Sequence, residues 1–376
     1  MNKRQVYIDN LKVALTVLVL LHHTAIMYSG TGMFYYMEGR EDQLTVAVIG
    51  TFCAVNQAYF MSLFFMISAF FTPASLDKKG TAGFIRDRLI RLGIPLVAYD
   101  LFFHPLIMTF CKAFLTGSDE TFINVYWHYF SHPTGVGRGP LWFVETLLIF
   151  SLVYAAARSL KKGADPINTR PFPGLMKISV FALAMGLVGF FVRIELPIGY
   201  DFGPLNLQIP FFPHYIAFYI AGVAAFRNGW FDEISGTAGK AALSVSACAI
   251  AILPVFMFQG GALSGKLDLF LGGWHAESLG FSIWQSILCA AMCIGLVWIF
   301  RERFNRRGKI LEAMAGSAYF AYIIHPLVLV TVAFFIKGWH IHPILKFVCN
   351  GAISVVACFS ICHLALRYIP ALRKVL

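Results

Sequence analysis

Long apolar stretches recur ten times along the chain, near residues 9–28, 45–72, 92–115, 140–160, 174–194, 210–227, 239–259, 277–300, 310–336 and 343–369. A helix rises about 1.5 Å per residue, so roughly 20 apolar residues cross a hydrocarbon layer about 30 Å thick. A helix that is apolar on all sides belongs in lipid or inside a bundle. The pattern predicts an all-α, polytopic integral membrane protein with about ten transmembrane helices. The second stretch is long enough to tilt or bend. No internal repeat and no long polar segment interrupts the series, so residues 1–376 read as a single integral-membrane domain with no appended soluble domain.

Composition agrees. The chain is 58% hydrophobic and 13% charged, with a mean hydropathy of +0.70, where soluble domains carry about 25% charged residues. That excludes a soluble enzyme, a disordered chain, a nucleic-acid binder and a disulfide-stapled secreted domain. The eight cysteines all lie in or beside apolar runs and form no C-x-x-C pair. They read as small buried hydrophobes, and no metal site is expected. The first run follows Lys3 and Arg4 as a signal peptide would, but it holds His22 and His23 and no small-residue cleavage site follows, so it is expected to stay as span one.

The net charge of +11 is mainly a topology signal. Of the 30 Lys and Arg, 22 fall at the two termini or in the even-numbered connections. The positive-inside rule then places both termini in the cytoplasm. The opposite connections, 117–139 and 196–209, are rich in Gly, Pro and aromatics. There, Tyr126, Trp127 and Tyr129 fit either an interfacial aromatic belt or a surface for stacking sugar rings.

An ionisable group within a span costs about 2.5–3.5 kcal/mol on insertion scales and points to a site. In span one Gln5, Asp9, Lys12, Thr16 and His23 fall on one helical face. Lys12 and His23 lie eleven residues, or roughly 16 Å, apart along it. Taken alone, Lys12 also fits snorkelling to headgroups. In span three Asp100 and His104 sit four apart, as either a functional or a structural pair. Span four opens with GPLWFVETLLIF and Glu145. Span nine carries Tyr319, Tyr322, His325 and Pro326; the proline should bend the helix and free the Tyr322 carbonyl, placing His325 against an interior cavity. Arg88 and Arg91, three apart before span three, suit either a bidentate phosphate clamp or a positive-inside anchor.

Together these residues resemble the membrane acyltransferase-3 family, which O-acylates extracytoplasmic glycans and includes the glucan-biosynthesis C proteins. The first-helix pattern of a basic residue, ten others and a histidine is similar to Lys12-x10-His23, and its spacing selects His23 over His22. The R-x-x-R after span two matches Arg88 and Arg91. F-F-M-I-S-A-F-F retains Ser68 but has Ala69 for the usual glycine. Leu141-Trp142-Phe143 is typical, and Ser317 to Pro326 resembles the late S-x-x-x-Y-L-x-H-P pattern. Lys12 stands where arginine is commoner, which keeps charge but loses the planar fork.

The resemblance implies a multi-pass protein of the bacterial inner (plasma) membrane that transfers an acetyl or succinyl group. The donor would be acyl-CoA, with no permanently bound cofactor. The acceptor would be a glycan, and the other partners membrane lipids, with no nucleic acid. It implies that His23 is the base or a transient acyl carrier and that Arg88 and Arg91 hold donor phosphates. Lys12 would guide the donor's anionic groups, while Asp9, Ser68, Glu145, Tyr322 and His325 line or support the cavity. The rival expectation is a carrier or flippase for a glycan or lipid-linked precursor.

Overall fold

Each apolar stretch becomes a helix in the computed structural model, which describes residues 5–38, 42–117, 120–131, 139–160, 170–202, 205 and 207–375. Of the described residues 84% are helical, and none forms a strand. In order, α1 is Val6–Ser29, α2 Gln43–Phe70, α3 Thr72–Leu115, α4 the short Phe122–Ser131, and α5 Trp142–Leu160. Then follow α6 Leu175–Glu195, α7 Phe212–Asn228, α8 Gly236–Gln259, α9 Ala276–Arg303, α10 Lys309–Ile336 and α11 Pro343–Tyr368. Among the described residues ten helices, all but α4, are long and apolar enough to span a membrane.

Local chemistry sets the ends. Asp42 caps α2 by accepting from the Thr45 amide at 2.8 Å and from its hydroxyl, and Ser235 caps α8 through the Ala238 amide at 3.1 Å. Gly30, at φ 69°, stops α1 in the left-handed conformation that glycine adopts without penalty.

The largest departure from the sequence pattern is at α3. The connection before span three is itself helical, so the run is 44 residues long, bent at Gly80 (φ 69°). It contains π-helical turns at Leu89–Gly93, Tyr99–Phe103 and Cys111–Thr116.

Burial separates centre from rim. The most apolar windows of α1 and α10 are 61% and 67% buried, against 22% for α6 and α8. The first pair is therefore the middle of the bundle and the second faces lipid. α1 packs on α2, α9, α10 and α11. Without a hydrophobic drive inside lipid, close approach depends on small residues. The α2–α7 crossing shows this: a methyl on Gly222 would sit 2.9 Å from Ala69 Cβ. The glycine expected at 69 is thus complemented from the facing helix.

Several basic residues assigned to connections lie inside helices. Arg193 is fully buried in α6, donating to Ser282 Oγ at 3.1 Å and Gln285 Oε1 at 2.6 Å. Lys346 is buried in α11. Of the basic residues used for orientation, Lys3, Arg4, Arg40, Arg138, Lys161 and Lys162 lie outside the described residues, as do 118–119, 132–138, 203–204 and 206 of the aromatic connections.

Candidate active site

His23 lies on α1 six residues before its end, facing α10. Its Nδ1 is 3.0 Å from the Val19 carbonyl and 3.1 Å from His325 Nε2, and the two rings stack at 4.9 Å. His325 Nδ1 lies 2.6 Å from the Tyr322 carbonyl. That carbonyl is available because Pro326 has no N–H to return to it.

The tautomers follow from the acceptors. A carbonyl oxygen only accepts, so both Nδ1 atoms carry hydrogen in the neutral rings. His325 Nε2 is then an acceptor for His23 Nδ1–H, and His23 Nε2 is left with its lone pair. This is the arrangement of an oriented base: one ring nitrogen held by a partner, the other available for chemistry.

His22 is placed differently. It is buried against Phe60 at 4.9 Å and meets His23 only edge-on at 5.7 Å.

The expected face of α10 divides among three neighbours. Tyr319 donates to the Arg91 carbonyl at 2.9 Å, a carbonyl that Pro95 cannot reach with an N–H. Tyr322 donates to the Pro140 carbonyl, which ties α10 to the mouth of α5, and its ring lies 5.7 Å from His325. One helix face thus links the R-x-x-R turn, the L-W-F segment and the imidazole pair. Glu145 is buried in the first turn of α5.

At the N-terminal end of α1, Lys12 sits over the Phe71 ring at 4.4 Å and 4.0 Å from Asp9. Ser68, three residues before Phe71, belongs to this end, and its carbonyl accepts from Thr72 Oγ1 at 3.0 Å. Arg88 and Arg91 differ in surroundings. Arg91 is exposed and its Nε is 3.3 Å from Asp87, which also binds Lys79 at 2.8 Å. Arg88 is half-buried over the Phe84 ring at 4.9 Å, and its Nε is out of solvent with no hydrogen-bond partner.

Sequence reasoning missed the residues that cover the histidines. In the connection after α1, Phe34 stacks on His23 at 5.0 Å. Tyr35 Oη is 2.8 Å from Tyr99 Oη and 2.7 Å from His104 Nδ1, and His104 stacks on Tyr129 at 4.5 Å. The aromatic run Phe34-Tyr35-Tyr36 in a short connection was the available signal. His104 therefore joins an aromatic network through Tyr35, while its wide π turn shifts the four-residue register that pairs it with Asp100 on an α-helix. Of the α4 aromatics, Tyr129 is interior and Trp127 is exposed.

A family model for the acyltransferase domain matches residues 5–363. The chain belongs to the acyltransferase-3 family. It is a membrane acyltransferase, and the match runs from the start of α1 into α11, so it takes in every motif residue above. No curated protein and no solved structure matches the chain. Among the described residues no cluster of three His, Cys, Asp or Glu is arranged to hold a metal.

Proposed function

We propose that this acyltransferase-3 protein is a transmembrane O-acyltransferase of the plasma membrane, the inner membrane of a bacterium. It carries an acetyl or succinyl group from cytoplasmic acyl-CoA to a hydroxyl of a glycan on the far side. The observation that carries the reading is the stacked His23–His325 pair, with His325 Nδ1 against the Tyr322 carbonyl; the lone pair on His23 Nε2 follows from those partners.

In this reading His23 Nε2 takes the proton of the acceptor hydroxyl as its oxygen attacks the thioester carbonyl. The C–S bond breaks, an ester forms, and the departing thiolate takes the proton back from the imidazolium to leave as free CoA. His325 accepts from His23 Nδ1–H and steadies the imidazolium between the two transfers. Arg88 and Arg91 hold donor phosphate, and Lys12 guides the donor's anionic groups. An extended pantetheine arm spans the roughly 16 Å from Lys12 to His23. Glu145, Asp9, Ser68 and Tyr322 support the walls.

The decisive experiment is thiol release from acetyl-CoA and succinyl-CoA by purified protein supplied with glycan. Release that depends on glycan and is lost in His23→Ala supports transfer. Glycan movement across vesicles without thiol release replaces it with the carrier reading.

A further inference from the structure

A small polar cleft of ≈ 100 Å³ opens at the end of the bundle opposite the N-terminus, between the end of α1, the connection after it, and the α10–α11 turn. Its walls include Tyr28, Glu38, Lys337, Trp339, His340 and Lys346, and neither His23 nor Arg88 is among them.

Four observations describe what it is built to hold. Lys346 is 4% exposed and donates to Glu38 Oε1 and to the Lys337 carbonyl at 3.2 Å. Lys337 Nζ donates to the Phe114 and Leu115 carbonyls at 3.1 Å each. An ammonium has three N–H donors, so each lysine keeps one in reserve. Glu38 Oε2 is withdrawn from solvent and accepts no hydrogen bond, an omission that a buried carboxylate oxygen seldom tolerates without a ligand or water. Trp339 is 47% exposed, and among the described residues its one hydrogen bond is through its backbone amide, to the Ile336 carbonyl at 3.0 Å.

Spare donors, a spare carboxylate acceptor and an exposed indole face together match one class of ligand. A sugar ring has hydroxyls that both donate and accept, and an apolar C–H face that lies on an aromatic ring. A purely anionic ligand would leave the Glu38 oxygen facing like charge, and an apolar one would leave every polar group unmet.

The cleft is also placed to serve the candidate base. Tyr28 lies five residues beyond His23 on α1, about 7.5 Å along the axis. Glu38 and Phe34 share one connection, which is pinned to α1 by the Glu38 amide on the Met27 carbonyl at 2.9 Å. Phe34 stacks on His23.

We propose that this cleft is an acceptor subsite that seats one sugar ring, with Trp339 as platform and Glu38, Lys337 and Lys346 as hydrogen-bonding groups, so that a neighbouring hydroxyl reaches His23. The acceptor role rests on the transfer reading above; the binding of sugar does not.

The test uses full-length protein in detergent and a linear gluco-oligosaccharide of six residues as probe, followed by saturation-transfer NMR and by acetyl-CoA turnover. In a His23→Ala background the probe is expected to bind, and Trp339→Ala to weaken it at least tenfold while Trp339→Tyr restores most of it. Glu38→Gln is expected to weaken it as well. Trp274→Ala, which removes another exposed tryptophan, is expected to change nothing. In turnover, Trp339→Ala should raise the acceptor KM at least tenfold and leave the donor KM where it was. Absence of binding, or equal binding by Trp339→Ala, overturns the proposal and leaves the interfacial belt as the role of Trp339. Sugar binding that depends on Trp339, in a protein that never releases thiol, overturns the transfer reading and keeps the site.

Discussion

A neutral imidazole offers its lone pair at one nitrogen, and the group against the other nitrogen decides which. At His23 that group is a second imidazole, itself oriented by a backbone carbonyl. The two residues should therefore fail differently. His23→Ala removes the proton acceptor, and glycan-dependent thiol release should fall by about 10²–10⁴-fold, the usual worth of a positioned base. His325→Ala leaves the base present but turned loose, and a misplacement of about 1 Å costs on the order of 10²-fold. Steady-state kinetics with both variants checks the order. Outside the spans, the Asp42 carboxyl is held below the usual carboxylate range by the Thr45 hydroxyl and amide. Its cap contribution is present above the unfolded carboxyl pKa of about 3.9 and is lost as pH falls through the lower folded value. Asp42→Asn should flatten that acid limb in thermal melts between neutral and acidic pH.

At the scale of the helix, proline acts by subtraction. Pro326 withholds an amide from the Tyr322 carbonyl, and His325 takes the vacancy; Pro95 withholds one from the Arg91 carbonyl, and Tyr319 takes that. Pro326→Ala would return the amide and remove an interior-helix cost of about 3 kcal/mol. It should raise the melting temperature of the protein while lowering turnover about tenfold or more, because the restored amide competes with His325 Nδ1 for its acceptor. A variant that is more stable and equally active would contradict this account of the H-P pair. Just past the π turn Tyr99–Phe103 of α3, His104 Nδ1 lies 2.7 Å from Tyr35 Oη.

Across the whole bundle, two guanidiniums illustrate opposite uses of a buried cation. Arg193 has its polar partners, Ser282 and Gln285, on α9 and joins the lipid-facing α6 to the interior. Arg193→Ala should destabilise the fold by about 1–3 kcal/mol for each group left unpaired, with the donor KM unmoved. Arg88 lies half-buried over the Phe84 ring, and its Nε, like that of Arg193, has no hydrogen-bond partner. Arg88→Ala should raise the donor KM by about 10–100-fold, as loss of a charge-assisted phosphate contact worth roughly 1.5–3 kcal/mol requires, with little change in the melting temperature. Isothermal titration with acyl-CoA and calorimetry of the same samples would separate the two residues.

Much of this was legible beforehand because the bilayer imposes its own rules. Hydrocarbon admits backbone only as helix or closed barrel, so apolar run length alone located ten spans, and the cost of charge in lipid singled out Lys12, His23 and His325. The Lys12-x10-His23 spacing selected one of two adjacent histidines, and in the fold that one meets His325 while His22 packs on Phe60. What the residue order could not contain was which helices meet. The His23–His325 pair joins positions 302 residues apart, and the aromatic run Phe34-Tyr35-Tyr36 marks its connection as unusual without saying which histidine it covers.

The one-dimensional pattern by itself determined that this protein is a helical membrane bundle and which side chains are too costly to be idle there. Tertiary structure alone decided which nitrogen of His23 carries the lone pair, that Arg88 turns inward while Arg91 turns out, and that a lysine-carboxylate-tryptophan cleft closes over one end. The physical reason is that solvation by lipid acts on each residue where it stands, whereas a hydrogen bond or an ion pair exists only between groups the packing has brought within about 3–4 Å.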